Sequence, residues 1–156
     1  MSLLPILTLP NRQLREKSKD IDPAELKKPD FQAWLDDLVE TMHKADGVGI
    51  AAPQTSRQVR IFIAMEGQTP HVVINPVVVR KSWRTADGEE GCLSVPGKYG
   101  IVRRHHAFKI RALDRFGKTF VLDAKGFFAR VLQHELDHLD GVLYVDRAKK
   151  IFNVNI

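Results

Sequence analysis

The stretch Lys125-Gly126-Phe127-Phe128-Ala129-Arg130-Val131-Leu132-Gln133-His134-Glu135-Leu136-Asp137-His138-Leu139-Asp140-Gly141 reads as one helix, from about Lys125 to Asp140, stopped by Gly141. Helical spacing puts Phe127, Val131, His134 and His138 on one stripe and Phe128, Leu132 and Leu139 on the opposite one. A lone histidine on such a helix is usually a core or surface residue. Here two histidines stand four apart with Glu135 between them, an H-E-x-x-H pattern. Residues four apart stack on one face, so both imidazoles can point at a common ion with the Glu135 carboxylate beside it. The spacing predicts a metal site.

A hydrolytic site of this kind takes three protein ligands and leaves one position open. No Glu follows Glu135, which removes the third ligand of thermolysin-like enzymes. The longer H-E-x-x-H-x-x-G-x-x-H pattern is matched at Gly141, but its last position is Tyr144, a poor substitute for histidine. The remaining soft donor is Cys92, in Glu89-Glu90-Gly91-Cys92-Leu93-Ser94, a segment that reads as a turn or loop. As the only cysteine it cannot form a disulfide within the chain, so it is a packed thiol, a reactive thiol or a ligand. The two-histidine site favours the ligand, and thiolate with imidazole suits Zn²⁺ or Fe²⁺ over Mg²⁺ or Ca²⁺.

Upstream of that helix, strand-like runs cover Val59 to Met65, His71 to Lys81, His106 to Leu113 and Thr119 to Leu122, with a hairpin turn at Asp114-Arg115-Phe116-Gly117. Earlier still, Phe31, Trp34, Leu35, Leu38, Val39 and Met42 recur at helical spacing from about Asp30 to Lys44. Asp30 is placed to cap that helix and Gly47 lies just past its end. Strands between helices without regular alternation predict an α+β fold: antiparallel or mixed strands packed around a central C-terminal metal-binding helix, with an N-terminal support helix. The short apolar tail from Lys149 to Ile156 is expected to add a strand.

A chain of 156 residues with 44% apolar and 28% charged residues has the composition of one folded domain, here expected to span residues 1–156. No apolar run approaches the roughly 20 residues of a membrane span, and the N-terminus lacks the pattern of a signal peptide. The expectation is a cytoplasmic protein without a membrane partner. The net charge of +5 comes from scattered Lys and Arg rather than a dense tract, so no stable nucleic-acid ligand is expected.

Gly47-Val48-Gly49-Ile50-Ala51-Ala52-Pro53-Gln54, Glu90-Gly91-Cys92-Leu93-Ser94 and Gln133-His134-Glu135-Leu136-Asp137-His138 resemble, in order, the three signature motifs of the peptide deformylases. The resemblance implies hydrolysis of the formyl group from N-formylmethionyl peptides at the start of newly made polypeptides, releasing formate. It implies one divalent ion on Cys92, His134 and His138, with Fe²⁺ in the cell and Zn²⁺, Ni²⁺ or Co²⁺ acceptable in a purified sample. Glu135 would be the general base and then acid, while the Gln54 amide and the Leu93 N–H would face the developing oxyanion. The Gly47-Val48-Gly49 stretch would pair with substrate backbone, its glycines allowing close approach and unusual dihedrals. Phe127 and Val131 are candidate walls for the methionine side chain, and Ser94 and Asp137 candidate partners of the ligands.

Two departures bear on substrate and partners. Tyr99 stands where some bacterial members have Arg, which leaves contacts beyond methionine open. Only 18 residues follow His138, so docking on the ribosome through a long basic C-terminal helix is not expected, although transient proximity to the ribosome fits the substrate. A general metallopeptidase and a non-catalytic metal- or nucleic-acid-binding module are the rival readings.

Overall fold

The computed structural model describes residues 2–154; Met1 and the tail residues Asn155 and Ile156 lie outside it. The first helix, α1, runs Pro29–Lys44 and buries Phe31, Leu35, Leu38, Thr41 and Met42. Asp30 does not cap it. Lys28 occupies that position without a side-chain bond, and Pro29, whose fixed φ suits a first helical turn and whose missing N–H is not needed there, starts the helix. At the other end Asp46, not Gly47, takes the left-handed conformation (φ 55°), and the Gly47 N–H closes on the Met42 carbonyl at 2.9 Å.

Five strands, β1 (Gly49–Ala51), β2 (Ile61–Glu66), β3 (Thr69–Lys81), β6 (Ala107–Leu113) and β7 (Thr119–Lys125), form an antiparallel sheet in the order β1-β2-β3-β6-β7. Ile61, Phe62, Ile63 and Ala64 of β2 are all fully buried. Ile61 and Ile63 pack with the Leu35, Leu38 and Met42 side of α1, while Phe62 and Ala64 pack with the second long helix, α2 (Gly126–Leu139). A strand covered on both faces reads as a continuous apolar run. The turn between β6 and β7 is closed by Asp114, whose carboxylate accepts the Phe116 and Lys118 N–H groups, with Gly117 at φ 84°.

The stripe of α2 opposite the histidines supplies core: Ala129, Leu132 and Leu139 are fully buried against β2, β6 and β7. Each such leucine contributes about 1.5–3 kcal/mol through its burial. The Cys92 segment, read from sequence as a turn or loop, is instead the end of β4 (Thr85–Cys92), paired with β5 (Val95–His105) from Thr85↔His105 to Cys92↔Val95 around Leu93 and Ser94. Neither strand alternates apolar and polar residues, because their stability comes from pairing and from burial of a few residues such as Val95 and Val102. After the short helix α3 (Tyr144–Arg147), the tail adds β8 (Lys150–Asn153) to the free edge of β5. The two sheets meet α2 from different sides, and the β4–β5 turn delivers Cys92 to its histidine face. Among the described residues no helix is long and apolar enough to cross a membrane.

Candidate active site

Each part of the site rests on a different element. The thiol of Cys92 reaches α2 from the β4–β5 turn, with Sγ 3.2 Å from His138 Nε2, and the donor atoms of Cys92, His134 and His138 all lie within 4.8 Å of one another. Around a tetrahedral ion, metal–ligand bonds of about 2.3 Å to sulfur and 2.0–2.1 Å to imidazole put such donors roughly 3.3–3.6 Å apart. The three side chains therefore fit one transition-metal ion.

Charge points the same way. Burial opposes a proton on His134, yet its bonds to Cys92 and Glu90 and the charge of Glu135 raise it to about 10, so the pocket favours positive charge there. Burial, then the charges of His134 and Arg104, hold His138 well below its ordinary value, leaving it neutral with a lone pair to give. Tyr144 is buried, and its ring stacks on His134 with centroids 6.1 Å apart. It supports the histidine rather than replacing one, and burial pushes its hydroxyl up to about 12.

The orientation of His134 depends on Glu90, a residue quoted within its motif but given no role by sequence reasoning. His134 Nδ1 lies 2.8 Å from Glu90 Oε1, which leaves Nε2 for the ion. The Arg104 fork donates to both Glu90 oxygens at 2.8 Å and to Asp137 at 2.7 Å, and Arg130 donates to Glu90 at 2.9 Å. Burial alone would raise the Glu90 carboxyl; the bonds from Arg104 and His134 overcome it and hold the group at about 2. Asp137 thus acts on His134 through Arg104 and Glu90, not by touching a ligand. No local signal marked this pairing: Glu90 stands opposite Gly100 in the β4–β5 register, and the Arg104 side chain reaches it from four residues further along β5.

Glu135 is buried beside the histidines, and Oε2 has no protein hydrogen-bond partner among the described residues. Burial pushes its carboxyl up to about 7, with His134 pulling the other way. A base poised near neutrality is suited to accept and return a proton. Gly49 packs directly on it: a Cβ there would stand 2.5 Å from Glu135 Oε1. Gly47 is tight for a different reason, since a Cβ would meet Leu93 Cδ1 at 3.1 Å. Neither glycine has the unusual dihedrals expected of it; close approach is what excludes larger residues.

Gln54 is buried in the 3-10 turn Ala52–Thr55. Its Oε1 accepts the Ala51 N–H at 2.8 Å, which fixes the amide so that Nε2 donates to Ser94 Oγ at 3.0 Å and faces Cys92 Sγ at 3.6 Å. Ser94 therefore holds Gln54 rather than a ligand. A cleft of about 330 Å³ opens over these groups, lined by Gly47 to Gly49, Gln54, Leu93, Phe127, Val131, His134 and Glu135. Val131 is buried in the wall and also packs into the core, while Phe127, 64% exposed, stands at the rim. Tyr99 is part of β5 and stacks on Phe152 of β8 with centroids 5.1 Å apart.

Known proteins resemble this chain over nearly its whole length. The sequence model described as Polypeptide deformylase matches residues 3–153. Peptide deformylase 1 of Clostridium perfringens is 46% identical over 135 residues, covering 85% of this chain and 89% of that protein. The crystal structure of peptide deformylase from Thermotoga maritima superposes with a TM-score of 0.91 at 33% identity, covering 96% of this chain and 100% of that one. The Met-Ala-Ser-bound class I type b peptide deformylase from Acinetobacter baumannii gives 0.90 at 33% identity, covering 94% and 98%. With a family match over almost its full length and a fold shared with solved relatives, the chain belongs to the polypeptide deformylase family.

Proposed function

We propose that residues 1–156 act as one catalytic unit that hydrolyses the formyl group of N-formylmethionyl peptides, releasing formate and a free α-amino group. The observation that carries this reading is the placement of a buried, near-neutral carboxyl, Glu135, beside a Cys-His-His donor set, with the fixed Gln54 amide facing the Cys92 sulfur. Cys92, His134 and His138 would hold one divalent ion. When bound, that ion supplies Lewis-acid polarisation of the formyl oxygen and activates water at neutral pH.

The chain's own groups do the rest. Glu135 takes the proton from the attacking water and delivers it to the departing amine nitrogen, which leaves as a neutral amine. Nε2 of Gln54 and the Leu93 N–H donate to the oxygen that gains charge; one such donor is worth roughly 3 kcal/mol. The Gly47-Val48-Gly49 backbone lies along the cleft, where an extended peptide can pair with it, and Phe127 and Val131 offer an apolar wall to the methionine side chain. The tripeptide Met-Ala-Ser bound to the Acinetobacter relative supports a ligand of this class. Newly made chains are the natural source of formylmethionine, so transient proximity to the ribosome and a cytoplasmic setting belong to the same proposal. Fe²⁺ is the proposed working ion, with Zn²⁺, Ni²⁺ and Co²⁺ able to occupy the same soft donor set.

The test is formate release from formyl-Met-Ala-Ser by anaerobically purified protein with its metal content measured. Turnover matched to metal content is expected, highest with Fe²⁺; absence of turnover with every one of these ions overturns the reading.

A further inference from the structure

The end of β3, the connection Ser82-Trp83-Arg84 and the start of β4 read Arg80-Lys81-Ser82-Trp83-Arg84-Thr85, and none of these residues lines the cleft. Trp83 is 102% exposed, more than any other large apolar side chain described. An indole offers about 150–250 Å² of contact surface, and here all of it faces water.

The backbone under the ring is firmly held. The Ser82 N–H donates to the Ala107 carbonyl at 3.0 Å and the His106 N–H to the Arg84 carbonyl at 2.9 Å. Ser82 Oγ donates to the Arg84 carbonyl at 2.7 Å and accepts the Ala107 N–H at 3.0 Å, while His105 Nδ1 lies 2.7 Å from the Ser82 carbonyl. Trp83 therefore projects from a braced stem, and much of the ordering a partner would otherwise impose is already in place.

The surroundings are cationic. No acidic residue occurs between Glu66 and Asp87. Arg80, Lys81 and Arg84 are exposed and have no ion-pair partner among the described residues. Beside the loop lies a groove of about 690 Å³ lined by Lys81, Thr85, Arg103, His105 and Arg147 among others. Asp137 pairs with Arg104 and Arg147, Asp146 with Arg15, and Arg103 with Asp87, so the cations beside the ring that carry no ion pair among the described residues are Arg80, Lys81 and Arg84.

A stacking ring flanked by unpaired cations beside a groove is what an unpaired polynucleotide strand needs: one base lies on the ring and the phosphates follow the cations. A lipid surface would call for a continuous apolar face, whereas here Arg80 and Lys81 separate the ring from the exposed Val77, Val78 and Val79 of β3. We propose that the Trp83 loop and the adjoining groove bind a short single-stranded nucleic acid segment, weakly and reversibly, through base stacking on Trp83 and phosphate contacts to Arg80, Lys81 and Arg84. The eight residues of β4 separate this loop from the Cys92 end of the hairpin by on the order of 25 Å, so a strand can bind while the cleft stays open.

The test uses the full chain and fluorescence anisotropy of labelled oligouridylate and oligothymidylate, with formyl-Met-Ala-Ser turnover and thermal melting measured alongside. Wild type should bind both strands. W83A should lose about tenfold in affinity, W83F should recover most of it, and turnover and melting should not change. The double variant R80E/R84E should lower the slope of log affinity against log salt by about 0.7 per phosphate contact removed. The proposal fails if neither strand binds at protein concentrations of about 10⁻⁴ M in low salt. It also fails if W83A binds like wild type, or if Trp83 proves instead to drive binding to phosphatidylserine vesicles.

Discussion

Gly49 and Glu135 are the tightest pairing at the site, and a single added methyl separates their roles from those of the ligands. With a Cβ at position 49 standing 2.5 Å from Oε1, G49A must displace the carboxylate. A shift of about 1 Å in a proton-transfer group costs on the order of 10²-fold in rate, so kcat should fall by that much while bound metal, read by elemental analysis, stays the same. E135A removes the base itself. It should retain metal and lose about 10²–10⁴-fold in formate release; near wild-type turnover would remove Glu135 from the mechanism. H-E-x-x-H made Glu135 legible from spacing alone. Gly49 was also singled out, for unusual dihedrals and close approach to substrate backbone, and only the folded chain reveals that the carboxylate lies against it.

The elements meet through charge as well as apolar packing. Glu90 on β4, Arg104 on β5, and Arg130, His134 and Asp137 on α2 form one buried network whose end point is the imidazole of a ligand. E90Q keeps the shape but removes the charge that Arg104 and Arg130 face. It should destabilise the protein by about 3 kcal/mol in urea unfolding, the order expected when a buried cation loses its partner. It should also weaken metal binding about 10–100-fold per folded molecule in a chelator competition, a loss that destabilisation alone would not produce. Sequence reasoning found α1, α2 and four of the five strands of the larger sheet because their periodicity or continuous apolar runs record burial. It missed β4 and β5, which are polar and glycine-rich, since their register is set by each other rather than by a pattern within either.

Across the whole molecule, the N-terminal segment is fastened to the C-terminal elements. Arg15 pairs with Asp146, whose carboxylate also accepts the Leu143 N–H, and Gly141 at φ 74° passes so close to Arg15 that a side chain there would meet its backbone. Burial would raise the Asp146 carboxyl, but the bonds from Arg15 and Leu143 and the charges of Arg15 and Arg147 hold it below the usual range. A depressed carboxyl stabilises above its unfolded value, about 3.9, and that contribution is lost as pH falls through the folded value. D146N should therefore melt a few degrees below wild type at neutral pH, with the two melting curves converging below about pH 4. Added salt should shrink the gap, because both side chains are about two-fifths exposed. A gap that persists at low pH would show that packing, not charge, fastens this end.

What the sequence determined by itself was chemistry written into short spacing. The His134-Glu135-His138 triplet, a single Cys92 in its own motif and the absence of any later Glu narrow the site to one donor set, because a helix converts a spacing of four into a shared face. Tertiary structure decided everything that depends on residues distant along the chain. It brought Glu90 and Arg104 to His134, turned Gly49 toward Glu135, and set the Arg80–Arg84 stretch beside a groove that Lys81 lines together with the distant Arg103 and Arg147. The physical reason is common to all three. Hairpin register and sheet packing fix which side chains meet, and neither is recorded in local periodicity.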